Sequence, residues 1–191
     1  NPTSGYYYAL SERFAGLGGD VNYLSSVLKG SYYYKYDYVD LIVGIGAEYG
    51  NIEGLGENIS KSNRFFLGGR KIRGFDSSGI GPRVSANSSA SAVGGNNYYT
   101  GRVSIRSGIG IPSETALQWT VFTDFGTLWG VDDTIDNYAV STDQEELRMS
   151  FGYGFQWDTP IGPLSFTWAD AIKKESYDQL QKFEFRLGSY F

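Results

Sequence analysis

Large apolar residues and small polar residues alternate through most of this chain. In the stretch "LRMSFGYGFQW", residues 147–157, every second residue is large and apolar, and Arg, Ser, Gly, Gly and Gln stand between them. Successive side chains of a β-strand point to opposite faces, whereas a helix would scatter these residues around its circumference. The same period recurs in residues 39–50, 117–126 and 183–191. The pattern therefore predicts strands with one apolar face and one small, wet face.

Eight such segments, joined mostly as hairpins, account for most of the chain. Turn sequences such as "GLGGD" at 16–20 and "GIPSE" at 110–114 mark their ends. Their length suits a tilted membrane crossing of about 9 to 11 residues better than a globular strand of about 5 to 6. The predicted strands are 5–16, 22–36, 39–50, 98–111, 116–130, 146–158, 163–173 and 181–191.

Alternation alone fits both a soluble β-sandwich and a transmembrane β-barrel. Aromatic residues gather toward strand ends, as at 6–8 and 32–34, where a barrel has its interfacial girdles. A sandwich would place its largest side chains in mid-strand. Connections also alternate in length, as expected for short periplasmic turns and long extracellular loops. The short ones are 37–38, 112–115 and 159–162, and the longer ones are 51–97, 131–145 and 174–180. These features favour an all-β, antiparallel transmembrane β-barrel.

Composition narrows the range of functions. The chain has 191 residues, enough for one domain, with 26 glycines and 17% aromatic residues. It contains no apolar run of about 18 residues, so no transmembrane helix is expected. A formal net charge of -5 argues against nucleic acid as a partner.

The residues that usually carry catalysis are scarce. The chain has no histidine and no cysteine, which removes a histidine base and the usual zinc ligands. A Ser and Lys dyad stays open, but no motif marks one. The acidic stretch "VDDTIDN" at 131–137 lacks the glycine and distal glutamate of an EF-hand, so a solvated loop is the simpler interpretation. We expect no enzyme activity, no catalytic residue, no metal and no cofactor.

The connection at 51–97 is the longest and has two different halves. Its second half is nearly all small and polar, which is typical of disordered or extracellular sequence. The first half contains "FFLGGRKIRGFDSSGIGPR" at 65–83, with apolar anchors and five glycines that permit tight backbone paths. Long loops without structure of their own are usually functional or disordered. We therefore expect this half to pack against another part of the protein, and the small, polar inner face of the sheet is the candidate.

Four motifs resemble those of the BamA-type outer-membrane assembly factors and their relatives in the same superfamily. They are "IRGF" at 72–75 with "IGPR" at 80–83, "DFGTLW" at 124–129, "GPLSFTWA" at 162–169 and "FEFRLGSYF" at 183–191. Their order and spacing match over the whole chain. The resemblance implies a bacterial outer-membrane protein whose long extracellular loop folds back into the barrel lumen. The implied lumen-loop motif is Ile72, Arg73, Gly74, Phe75, Gly81 and Pro82.

The resemblance also implies an ion pair between this loop and the barrel. Alternation places Asp124 on the inner face, and in the family the acid of this "DFG"-like motif pairs with the loop arginine, here Arg73. Without the resemblance, a solvated loop arginine is the simpler interpretation. A second acid, which family members often carry on the preceding strand, is missing. Glu48, inward on the strand before the loop, is its candidate replacement. The inward residues of that preceding strand are Thr100, Arg102, Ser104 and Arg106.

Members of the family have sixteen strands preceded by periplasmic POTRA domains. This chain has room for about eight strands and contains no POTRA domain. A closed eight-stranded barrel is filled by its own side chains, so it would not also hold the loop. We therefore expect the C-terminal half of a sixteen-stranded barrel, either as a fragment or as one half of a composite barrel. Its other strands and the POTRA domains would lie outside this sequence.

The implied function is insertion of β-barrel proteins into the outer membrane through a lateral seam, without covalent chemistry. An exposed strand edge is a template for an incoming strand, because unpaired backbone groups cannot remain in hydrocarbon. The implied partners are outer-membrane lipids, nascent β-barrel client proteins and accessory lipoproteins. A passive structural or adhesive barrel and a protein-translocation pore of the same superfamily are the alternatives. The predicted seam residues are Phe183, Phe185, Leu187, Gly188 and Phe191.

Overall fold

The computed structural model describes residues 2–16, 18, 21–85, 89–108, 117–132, 142–159 and 162–188. In chain order, its strands are β1 (Gly5–Ala15), β2 (Tyr23–Tyr36), β3 (Leu41–Gly54), β4 (Gly74–Phe75), β5 (Asn97–Gly108), β6 (Leu117–Trp129), β7 (Arg148–Thr159), β8 (Gly162–Lys173), β9 (Leu180–Gln181) and β10 (Phe183–Leu187). Single 3-10 turns lie at Asp37–Val39 and Lys61–Asn63. Across these ranges no helix is long and apolar enough to cross a membrane.

The eight strands other than β4 and β9 form one antiparallel sheet, which confirms the predicted fold class. Their order is β1-β2-β3-β5-β6-β7-β8-β10, and β4 pairs with β9 in a separate two-stranded sheet. Among the described residues, β1 pairs only with β2, and β10 only with β8. The sheet is therefore a partial barrel with two open edges.

Burial in the sheet is the reverse of burial in a soluble protein. Along β7, polar and small residues are buried while every aromatic residue is exposed. We call these two sides the inner face and the outer face. The buried residues of β7 are Arg148, Ser150, Gly152 and Gly154, and the exposed ones are Phe151, Tyr153, Phe155 and Trp157. The alternation in the sequence thus separates a polar interior from an apolar exterior.

Strand β3 runs further than the sequence predicts, to Gly54 instead of residue 50. In this extension the Ile52 N–H donates to the Asn96 carbonyl at 2.8 Å. The Ile52 side chain packs with Tyr23 and Ile59 in a small buried cluster. Backbone pairing therefore continues where the alternation of apolar and polar residues has already ended.

The segment predicted as one strand at 181–191 is divided. Phe183–Leu187 pairs with β8, whereas Leu180–Gln181 leaves the sheet and pairs with β4. Lys182 lies at the division, and its carbonyl accepts a hydrogen bond from the Ala169 N–H at 2.9 Å. The division has a physical reason, because β4 supplies the backbone partners that β8 would otherwise provide. Phe191 lies outside the described residues.

The loop between β3 and β5 packs on the inner face. Its residues 67–80, which we call the loop tip, contribute four side chains to the main hydrophobic cluster, and the sheet contributes two. Removing a large apolar side chain from water stabilises the fold by about 1.5 to 3 kcal/mol, so this cluster is a strong anchor. Its buried members are Leu67, Ile72, Phe75, Ile80, Tyr98 and Leu128, each at most 2% exposed.

The second half of the loop is more ordered than its composition suggests. The Val93 N–H donates to the Pro82 carbonyl at 3.0 Å, and Phe65 and Gly95 exchange two backbone hydrogen bonds. Disorder is therefore the wrong interpretation for residues 91–96. The space is tightest at Gly94 and Gly95, where an added Cβ would lie 2.8 Å from the Phe65 carbonyl and 2.8 Å from the Trp129 carbonyl.

Candidate functional site

The loop tip brings Arg73 against Asp124 of β6. The Arg73 Nε donates to Asp124 Oδ2 at 2.7 Å, and Nη2 donates to Oδ1 at 2.8 Å. The Arg73 backbone N–H also donates to Oδ2, at 3.1 Å. Asp124 is 0% exposed, and such bidentate, charge-assisted pairs are among the strongest hydrogen-bonded contacts in proteins. Three bonds to one buried carboxylate therefore fix the position of the tip.

A second arginine shares the same carboxylate. Arg102 of β5 is the register partner of Asp124, and its Nε donates to Oδ1 at 2.8 Å. Its Nη2 donates to the Arg70 carbonyl in the loop at 2.6 Å. The sequence placed Arg102 on the inner face but gave it no role. The signal that would have shown it is the register of β5 against β6, which alternation alone does not fix.

The Arg73 side chain makes a second kind of contact. Its guanidinium carbon lies 3.1 Å from the centroid of the Phe122 ring. Burial lowers the pKa of Arg73, and its bonds to Asp124 oppose this fall. The ordinary pKa of arginine is so far above neutrality that the group stays charged. Arg73 is thus a partly buried cation in contact with both an aromatic ring and an anion.

Glu48 contacts the loop through a different residue from the one the sequence suggests. Lys71 Nζ donates to Glu48 Oε1 at 2.7 Å, and the Tyr98 hydroxyl donates to the same oxygen. Lys29 lies 3.4 Å from the other oxygen. The same Lys71 ammonium sits 3.9 Å from the centroid of the Tyr98 ring. Glu48 therefore forms a second anchor of the tip, beside the Arg73 pair and not as part of it.

The other motif residues shape the backbone of the loop. Gly74 has φ +94°, and a Cβ there would lie 3.3 Å from the side chains of Ser150 and Ala169. Pro82 is buried, and the following Arg83 is also buried. The Arg83 guanidinium donates to the carbonyls of Ser78, Gly79 and Ala90. The sequence motif contained Arg83 without indicating that it ties the exit of the tip to the rest of the loop.

The tip also holds the start of the last strand. Gly74 and Phe75 pair with Gln181 and Leu180. The ladder continues past β4, where the Asp76 N–H donates to the Gln179 carbonyl at 3.0 Å and the Gln179 N–H donates to the Gly79 carbonyl at 3.0 Å. Nothing in the sequence indicated this contact.

A buried ion pair supports the turn before β9. Arg148 of β7 donates to Asp178 at 3.0 Å and to the Tyr177 hydroxyl at 3.0 Å. The side chains of Arg148 and Asp178 are both 0% exposed. Asp178 also accepts the Glu175 N–H at 2.7 Å. The turn before β9 is thus fixed by contacts with β7 and with the loop tip.

The described seam residues lie at the open edge. Phe183, Phe185 and Leu187 are exposed on the outer face. The Gly188 N–H donates to the Pro163 carbonyl at 2.9 Å. The structure thus places these residues along the edge of β10, with their large side chains toward the outside.

In the described ranges, no group of three or more His, Cys, Asp or Glu side chains could hold a metal ion. The acidic stretch 131–137 lies mostly outside the described residues. Its Asp132 accepts the Ile59 N–H at 2.6 Å and the Asn96 amide at 3.0 Å. Asp132 therefore works as a hydrogen-bond acceptor for the loop.

Gly81→Ala is expected to destabilise the protein by about 1 to 3 kcal/mol, because it overpacks a filled site. Gly81 has φ +105°, and a Cβ there would lie 2.6 Å from Leu128 Cδ2, in the main cluster. The measurement is the temperature at which the refolded protein changes, in electrophoresis, from the mobility of its compact folded form to that of the unfolded chain. Gly56→Ala is the matched control, since Gly56 has φ +89° but nothing within 4 Å of its added Cβ. Equal losses in both variants would contradict the packing argument.

This chain is similar to known proteins over its whole length. A family model described as the Omp85 superfamily domain matches residues 1–191. The outer membrane protein assembly factor BamA of Neorickettsia risticii (strain Illinois) is 34% identical over 191 residues, covering 100% of this chain and 25% of that protein. BamA of Neisseria meningitidis serogroup B is 26% identical over 212 residues, covering 100% of this chain and 26% of that protein.

A solved structure gives the same fold. The crystal structure of BamA from Haemophilus ducreyi lacking POTRA domains 1-3 superposes with a TM-score of 0.80 at 23% identity. The match covers 96% of this chain and 38% of that one. The chain thus spans about a quarter of the length of the curated relatives it matches.

Proposed function

This chain belongs to the Omp85 superfamily, and we propose that it forms the C-terminal half of an outer-membrane β-barrel that inserts other β-barrel proteins into the membrane. Relatives of this chain are named outer membrane protein assembly factors. The observation that carries the proposal is the division of the last strand, whose start pairs with the loop tip instead of the sheet. No covalent step is part of the proposed activity.

Placement in the outer membrane is supported by the outer face. Its large apolar side chains are exposed along successive strands, as in Ile45, Val103, Phe151 and Phe185. Hydrocarbon is the environment that such a surface requires, and the strands have the length to cross it. The lipids of the outer membrane are therefore the first proposed partner.

The loop is proposed to lie in the lumen of a wider barrel. It covers the inner face of a sheet that has two open edges among the described residues. A barrel closed from eight strands would have no room for it, because its own side chains fill the interior. Further strands of the same protein are proposed to complete the wall, with POTRA domains on the periplasmic side.

The seam is proposed to open at β10. In the described part of the chain β10 has 5 residues, Phe183–Leu187, so any ladder on its free side would be short. An edge with unpaired N–H and C=O groups is a template for a further strand. A nascent client strand would add at this edge, where Phe183, Phe185, Leu187 and Gly188 lie. The fifth predicted seam residue, Phe191, lies outside the described residues. Release of β9 from the loop tip would free the start of β10 to move.

A disulfide across the loop tip tests this proposal. Asp76 and Gln179 are neighbours through a backbone hydrogen bond, and the chain has no cysteine of its own. In full-length protein carrying Asp76→Cys and Gln179→Cys, oxidation is expected to slow client folding into lipid vesicles at least tenfold, about 1.4 kcal/mol of barrier. The physical reason is that the locked β9 cannot leave the tip. Reductant should restore the rate.

Each single cysteine variant, treated with the same oxidant, is the control. A cross-linked protein that accelerates client folding as well as the reduced one would contradict the coupling of tip and seam. A reduced protein with no acceleration at all would contradict the assembly function itself and leave a passive barrel.

A further inference from the structure

A small cavity beneath the loop tip is lined by four arginines. Its volume is about 170 Å³, which is ample for a small ion with water, since one water needs about 10 to 15 Å³. Two of the arginines come from the loop and two from the sheet, and no carboxylate is among the described residues that line it. The four are Arg70, Arg73, Arg102 and Arg186.

The charges around this cavity do not balance. Arg73 and Arg102 share the single carboxylate of Asp124, and Arg186 pairs with Glu184 two residues away. The exposed Arg70 side chain has no hydrogen bond or ion pair in the described part of the chain. Four guanidinium groups thus face two carboxylates, which leaves two positive charges. This surplus stands out in a chain whose formal net charge is -5.

The arginines around this cavity repel one another. After burial, the neighbouring Arg102 and Arg186 also lower the pKa of Arg73, against the pull of Asp124. Like charges held this close repel each other, and an anion between them would relieve the repulsion. The loop and two strands, β5 and β10, carry the arginines, so the fold itself brings these cations together.

Neutral donors complete the wall. Thr120, Ser165 and Thr167 contribute hydroxyl groups to the lining, and Gln156 contributes an amide. Guanidinium groups bind oxyanions through paired N–H donors, and hydroxyl groups bind the oxygens that remain. A carboxylate would bring one negative charge, whereas a phosphate group brings about 1.5 to 2 and more acceptor oxygens. The surplus of two charges therefore fits phosphate better.

We propose that this cavity binds a phosphate group, with Arg70 as the primary ligand and Arg186, Arg73 and Arg102 beside it. The group would be inorganic phosphate in the aqueous lumen or the headgroup of a phosphomonoester lipid. Both sources present the same dianion to the arginines. The proposal does not depend on the assembly function, since it concerns only what the cavity holds.

Calorimetric titration of the refolded full-length protein, in a phosphate-free zwitterionic detergent at low ionic strength, is the test. Inorganic phosphate is the first probe, and mixed micelles containing phosphatidic acid are the second. Binding of the first probe identifies free phosphate as the ligand, and binding of the second alone identifies a lipid headgroup. Arg70→Gln with Arg186→Gln is expected to weaken binding at least tenfold, because two charged ligands are lost.

Lys61→Gln with Lys182→Gln removes the same charge outside the cavity and should leave the affinity unchanged. Arg70→Gln alone, at an exposed loop residue, is the second variant if the double one fails to fold. Equal affinity in Arg70→Gln and the lysine variant would overturn the proposal. So would binding of neither probe above the level seen with chloride, which would mean that an acidic group elsewhere in the protein fills the cavity.

Discussion

Asp124→Ala is expected to destabilise the folded protein by about 3 to 5 kcal/mol, the cost of leaving a buried charge without its partner. Asp124 accepts bonds from both Arg73 and Arg102 and is 0% exposed. Without this carboxylate, Arg73 and Arg102 would lie on the inner face with no anion between them. Arg73→Ala should cost less, because Arg102 still neutralises the carboxylate. The order of the two losses follows from the sharing of one anion by two arginines.

The midpoint of the heat-modifiable transition of the refolded full-length protein measures these losses. Asp170→Ala is the matched control, since the Asp170 side chain is 74% exposed in its pair with Lys182. The double variant at Arg73 and Asp124 should lose less than the sum of the single losses, because the two groups interact directly. Strictly additive losses, or an Asp124 variant as stable as the Asp170 variant, would contradict the shared-anion arrangement.

Asp178→Ala is the second substitution with a large expected effect, also about 3 to 5 kcal/mol. It leaves Arg148, whose side chain is 0% exposed, without its anion, and it removes the acceptor for the Glu175 N–H. The turn before β9 would lose its support from β7. Arg148→Met combined with Asp178→Leu should recover part of the loss, because apolar residues of similar size do not leave a buried charge.

Thermal stability and amide exchange check this prediction together. The Gln179 N–H, which donates to the Gly79 carbonyl, should exchange faster in Asp178→Ala, since the turn that precedes it is released. Removing the exposed pair of Lys182 and Asp170 in the same hairpin should cost only about 0 to 1 kcal/mol. A similar cost for the buried and the exposed pair would show that Arg148 finds another partner or reaches water.

Local periodicity was enough to predict the sheet. Each strand carries its own alternation, so the eight segments and their inner and outer faces follow from the sequence. The differences lie near strand ends such as Gly54 and in the divided last segment. There the backbone pairing of β3 continues beyond the alternation of apolar and polar residues, because Ile52 is buried by contacts with Tyr23 and Ile59. A ladder depends on backbone partners, and alternation reports only side chains.

The contacts of the loop were harder to predict. The resemblance to a family predicts the pair of Arg73 with Asp124. Spacing alone does not distinguish a buried arginine from a solvated one. Arg102 joined them through the register between two strands. The pairs of Arg148 with Asp178 and of β4 with β9 join residues far apart in the chain. No local pattern encodes such contacts, which form only when the whole sheet is in place.

The pairing of residues 74–75 with 180–181 also constrains the order in which this chain folds. The loop tip has its complete set of backbone partners only after the C-terminal hairpin has formed, and closing so long a loop is an intrinsically slow, late event. We therefore expect the β4–β9 pairing to be among the last contacts that form as this chain folds. Until the final strand arrives, the tip lacks the β-ladder that would lock it in place.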